Sequence, residues 1–214
     1  MVRKSFKAVV LVATMLALLV PSYSFAKEKK GMEKHSVKKV ELRLALRDLW
    51  IGHIFWVRGV VIGTKYDNKD EAKVAEEKVV ENAKALAGSI TPYYGKEAAD
   101  KLFGLLAGHY GAIKDYMNAS YSENKEAKES AVEKLKKNAA EIATFLSSAN
   151  PNWPKDVLLS ALIAHGGHHM AQIDEINAKD FSGEAKTWDA MKSHIYVIAD
   201  VLVNGIVKQF PKKF

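Results

Sequence analysis

Leu46-Arg47-Asp48-Leu49-Trp50-Ile51-Gly52-His53-Ile54-Phe55-Trp56-Val57-Arg58 is the stretch from which the fold can be read. Its apolar residues, continued by Val60 and Val61, return every three or four positions. That is the period of an amphipathic helix with one buried face. His53 falls on that face, one turn from Leu49. The same arrangement returns twice. His109 and His165 follow His53 at successive intervals of 56 residues, and Leu102 and Leu158 precede them as Leu46 precedes His53. Gly52 and Gly108 stand immediately before the first two histidines.

Further along each interval a second set of residues corresponds: Asn82, Asn138 and His194, then Leu86, Ile142 and Ile198, each followed by alanine. Self-similarity at a fixed period is the mark of a repeated supersecondary unit. Each unit reads as helix, short polar loop and returning helix, with turn residues at Asp67-Asn68, Glu123-Asn124 and Lys179-Asp180. Pro92, Gly95, Pro151 and Pro154 punctuate the joins, and no stretch alternates with period two. The expected fold is all-α: a six-helix bundle of three repeated antiparallel hairpins, over 41–95, 96–150 and 151–214.

The residues before position 41 read differently. Arg3, Lys4 and Lys7 lead into an apolar run from Ala8 to Val20, and Ser24-Phe25-Ala26 has the small-x-small form of a cleavage site. This is the layout of a secretory signal peptide over 1–26, with an uncleaved anchor as the alternative. Residues 27–40 are Lys-rich with a glycine, and read as a flexible tether. A mature chain from Lys27 would be periplasmic or secreted, and no later segment reads as a membrane span. It would carry 29 basic and 25 acidic residues, a net charge of only +4. The lysines alternate with glutamates at helical spacing, as on a solvated face, so nucleic acid is not an expected partner. There is no cysteine for a disulfide, a lipid anchor or a covalent haem.

Residues equidistant from a loop lie at one height in an antiparallel hairpin. His53 and Asn82 are 29 residues apart, as are His109 and Asn138, and His165 and His194. Each pair is therefore expected to meet, forming a polar layer through the core. For the first two pairs a buried imidazole satisfied by an amide explains the pattern. The third hairpin carries more. His165, His168 and His169 span an arc of about 100° on one helix. His194 is expected opposite His165, with Met191 one turn before it. Imidazole suits zinc or copper, and a thioether favours copper(I). The expected metal ligands are thus His165, His168, His169, His194 and Met191, with Asp174 and Glu175 in reserve. His53, in another hairpin, is expected to stand apart from them. Glycines beside the repeated histidines (Gly52, Gly108, Gly111, Gly166 and Gly167) point either to close helix packing or to room for a ligand, of which non-covalent haem is the largest. Trp50 and Trp56 read as core residues, with Arg47 and Arg58 reaching past them to water.

There is no Gly-rich phosphate loop, nucleophile elbow or His-Glu-x-x-His, and no Glu-x-x-His on a core face. The segment Leu46–Arg58, with Pro92-Tyr93-Tyr94-Gly95 and Phe210-Pro211, resembles a stretch shared by a group of uncharacterised exported bacterial helical proteins. That resemblance covers most of the chain after the leader. It implies a helical bundle and brings no established activity. The functional expectation is a metal carrier, store or sensor outside the cytoplasm; the alternative is a non-catalytic adaptor whose histidines are structural. An enzyme using a metal-bound water is a third class.

Overall fold

The structure is a computed structural model that describes the backbone of residues 22–214 and the side chains of residues 37–214. The described residues form six α-helices and no strand: α1 (Ser22–Lys65), α2 (Lys69–Gly88), α3 (Thr91–Tyr121), α4 (Lys125–Ala149), α5 (Lys155–Ala178) and α6 (Phe181–Gln209). A 3₁₀ turn, Pro211–Lys213, follows. The apolar run of the expected leader lies outside the described residues.

Three tight turns are built alike. Asp67, Glu123 and Lys179 adopt the left-handed conformation, with φ of 53°, 56° and 60°. The next residue in each turn, Asn68, Asn124 or Asp180, donates its backbone N–H to a carbonyl of the preceding helix, at Gly63, Ala119 and Glu175. Its side-chain oxygen then accepts from the N–H of Glu71, Ala127 or Gly183 and caps the following helix. Such a cap contributes about 1 kcal/mol.

After each turn the chain packs back along the helix it has left. A Cβ on Gly63 would lie 2.7 Å from the Ala72 nitrogen, one on Gly59 would meet Ala75 at 3.1 Å, and one on Gly52 would meet Asn82 at 3.0 Å. These glycines let α1 and α2 approach closely. Besides these sequential contacts, α1 packs on α6 and α5, and α3 packs on α5. The helices that carry His53, His109 and His165 therefore meet inside the bundle. Their apolar faces form the core, with Ile54, Val57, Ile173, Ile195 and Val203 almost fully buried.

The join between α4 and α5 is pinned from within. Trp153 is buried, its indole N–H points at the carbonyls of Val201 and Leu202, and its ring lies against Gly205 so closely that no side chain fits there. Gly95, with φ of 84°, breaks the helical path near the start of α3.

Residues 27–40, expected as a tether, form part of α1. Lysine and glutamate are good helix formers, and a single glycine does not outweigh them. Val37 and Val40 are exposed, so propensity rather than burial accounts for this end of the helix. Among the described residues one helix, α6, is long and apolar enough to cross a membrane by length and composition. Its apolar character also serves the bundle, where Met191, Ile195, Ala199 and Val203 are fully buried.

Candidate metal centre

His53 stands on the buried face of α1 between Trp50 and Ile54. On α5 the buried face runs Leu158, Leu162, His165, His169, Ile173 and Ile176, so His165 and His169 point inward from consecutive turns. The three imidazoles converge, and one ligand nitrogen from each lies within 4.8 Å of the other two. His165 Nε2 and His53 Nε2 are 3.4 Å apart. The ring centroids of His53–His165, His53–His169 and His165–His169 are separated by 5.5, 5.5 and 4.6 Å. Imidazoles bound to one tetrahedral ion at about 2.0–2.1 Å hold their centroids roughly 5 Å apart. The triangle is already close to that size.

His109 completes the layer from α3. Its ring stacks on His165 at 5.7 Å and 16°. The Asn138 amide donates to Leu105 O at 3.0 Å, which turns Oδ1 toward His109 Nδ1 at 3.1 Å. An amide oxygen only accepts, so Nδ1 carries the proton and Nε2 keeps its lone pair. Trp50 meets both His53 and His165 edge-on.

Burial holds all four imidazoles neutral. It pushes His53 down to about 3, with His109 nearby adding to the shift, and His109 down to about 4 despite its bond to Asn138. His165 and His169 are also driven well below the usual histidine range, first by burial and then by each other and their neighbours. Neutral imidazole is the form that binds a metal. Four buried nitrogens have no protein partner: His109 Nε2, His165 Nδ1, and both nitrogens of His169. A buried polar atom left this way costs about 1–3 kcal/mol. The free space against His53, His109 and His165 is about 20 Å³, which suits a water molecule and is far too small for a haem.

The expected ligand set divides. His165 and His169 join the triad. His168 and His194 pair with each other instead, half-buried, with centroids 5.3 Å apart, and His194 Nε2 lies 2.8 Å from Ala161 O. Met191 is buried in the apolar cluster of Trp50, Ile54 and Ile195. Asp174 is taken up by Tyr116, Ser120 and Lys128, and Glu175 by Thr187.

Of the three expected pairs, only His109–Asn138 bonds side chain to side chain. Asn82 and His194 bond backbone instead: Asn82 donates to Leu49 O at 2.9 Å, and His194 turns to Ala161 O. The bonds from Asn82 to Leu49 O and from Asn138 to Leu105 O need Gly52 and Gly108, because a Cβ there would stand 3.0 and 3.2 Å from the two amide nitrogens. Close approach therefore explains these glycines. Gly111, Gly166 and Gly167 have open space where a Cβ would be.

Sequence reasoning set His53 aside because it belongs to a different hairpin. The structure makes it the third member of the triad. The signal in the sequence was the 56-residue spacing, which sets His53 in one series with His109 and His165. Arg47 and Arg58 are not simply extended to water; they pair with Asp200 and Glu184 on α6.

No protein-family model, curated protein or solved structure matches this chain. The geometry of the histidine layer is therefore the ground for the functional reading.

Proposed function

We propose that this is an exported helical bundle, built from three copies of one antiparallel hairpin, that holds a transition-metal ion between His53, His165 and His169. Copper and zinc suit three neutral imidazoles. The role is storage, sensing or carriage. The observation that carries the reading is the convergence of three buried ligand nitrogens, two of the rings having nitrogens that no protein group satisfies. Export rests on the leader-like residues 1–26. The threefold repeat rests on the 56-residue spacing, supported by the matching turns and by the three contacts to Leu49, Ala161 and Leu105 carbonyls.

A structural adaptor is the second reading, favoured by one observation: Asn138 holds His109 as a core hydrogen-bond pair. That account satisfies His109 Nδ1 and leaves His169 with no partner at all.

Titration of untagged protein with zinc and with copper(I) separates the two. One saturable site per chain is expected, lost in His53→Ala and in His165→Ala and retained in His194→Ala. Absence of a saturable site for either metal favours the adaptor. Equal small losses in all three variants indicate scattered surface binding.

A further inference from the structure

Beside the histidine layer lies a second, larger space. It is a cavity of about 90 Å³ whose outer wall includes Val157 on α5 and Val197 on α6, both exposed. Its inner wall includes Trp50, Leu86, Leu106, Ile142 and Leu162. The same five residues line the small space that touches His53, His109 and His165. The two spaces are therefore neighbours, sharing the wall that lies between the exposed side at α5 and α6 and the imidazoles.

The wall determines what can enter. Its few polar groups are mostly engaged already: Ser89 donates to Leu86 O, and the Trp153 N–H faces the carbonyls of Val201 and Leu202. The Trp50 N–H is the one side-chain donor in this wall without a partner. A charged or strongly polar molecule would lose its hydration there and gain almost nothing in return. Apolar cavities stay dry, and one of roughly 150 Å³ takes up benzene or xenon. About 90 Å³ suits something smaller than benzene. The neighbouring space against the histidines is smaller, about 20 Å³, and accepts a molecule of about the size of water.

We infer that this cavity is a binding site for a small, uncharged, apolar molecule, a dissolved gas or a very small hydrocarbon, and that its inner end brings that molecule to the histidine layer. The cavity is formed by side chains alone and needs no metal, so this inference stands or falls separately from the metal reading.

Xenon is the probe. The full chain, stripped of metal with a chelator, is placed under rising xenon pressure while the tryptophan indole NMR signals are followed. Trp50 and Trp153 line the cavity; Trp56 and Trp188 do not. Saturable shifts confined to Trp50 and Trp153 are expected. Ala161→Leu fills the cavity from α5 and should weaken xenon binding at least fivefold. Val197→Trp changes an exposed residue at the mouth, so its folding is not at issue; it should slow exchange at least threefold without changing affinity.

The inference is overturned if all four indoles drift linearly with pressure, or if Ala161→Leu saturates like the parent. Unchanged exchange in Val197→Trp removes the proposed route between α5 and α6. Failure to bind copper or zinc, with the xenon result intact, would count against the metal reading alone.

Discussion

Two buried polar groups share α1 and α5 and are finished in opposite ways. Toward the start of α6, Glu184 is 5% exposed and accepts Arg58 through both oxygens, at 2.6 and 3.0 Å, and Gln172 at 2.8 Å. Both its oxygens have donors, and the bonds from Arg58 hold its carboxyl below the usual range despite burial. About one and a half turns away along α1, the histidine layer is just as buried but has several imidazole nitrogens left over. The first group ties three helices together, and both carboxylate oxygens are satisfied; its one unpartnered atom is the acceptor Gln172 Oε1. The second carries an energetic cost until something satisfies it. Burial alone does not distinguish the two groups; the charge at the centre of the first is fully paired, whereas the second keeps several imidazole nitrogens free to take a ligand.

The sharpest way to break this contrast is to remove one arm of the triad. His53→Ala, His165→Ala and His169→Ala should each weaken zinc or copper binding at least 100-fold, about 2.7 kcal/mol or more. His194→Ala should change it less than threefold. Competition titration against a chelator of known affinity measures both. Three triad variants that bind like the parent would place the metal elsewhere or nowhere.

Arg58→Ala addresses the other side of the comparison. It strands Glu184 with only Gln172, and should cost about 2–4 kcal/mol in urea denaturation without affecting metal binding. A loss under 0.5 kcal/mol would mean that Glu184 reaches water and does not depend on its pairing as described.

Acid should separate the two groups again. An imidazole whose folded pKa is depressed takes a proton more readily once the chain unfolds. Its contribution is fully present above about 6.5, and is lost as the pH falls from there toward the folded values of about 4 and about 3 for His109 and His53. In metal-free protein, lowering the pH from 6.5 to 5.5 should cost about 1 kcal/mol per buried imidazole. His169→Leu should show a shallower acid slope in the same measurement. An unchanged slope would show that His169 is already protonated or exposed.

The smallest effect expected is at the amides. Asn138→Ala removes bonds to both Leu105 O and His109 and should cost about 1–2 kcal/mol. Asn82→Ala should cost less, because Asn82 Oδ1 has no partner to lose. Thermal unfolding of the two variants compares them directly, and the reverse order would remove His109 as an anchored member of the layer.

Much of the helical architecture was legible because it is written locally. The 3.6-residue stripe of Leu46, Trp50 and Val57 is enough to make a buried face, and Asn68, Asn124 and Asp180 mark helix starts by their chemistry. The metal centre was only half legible. His165 and His169 share a helix, so their spacing placed them together. His53 reaches them through the packing of α1 on α5, a contact 112 residues apart in the chain that no rule within one hairpin describes. Height matching also placed Asn82 near His53, but could not show that a glycine beside the histidine would expose Leu49 O as the better partner. The composition of residues 27–40 suits a solvated linker and a solvated helix equally well, so it does not choose between them.

The three turns also have a consequence for how much change the molecule can absorb. Asp67, Glu123 and Lys179 each hold a left-handed backbone without being glycine or asparagine, a conformation that costs a side-chain-bearing residue about 1 kcal/mol or more. Each is exposed and far in sequence from the imidazoles. Asparagine at these positions offers a reserve of stability that leaves the histidine layer untouched. A lineage or a designer could draw on that reserve first, and then afford the destabilising substitutions through which a buried site acquires a new preference.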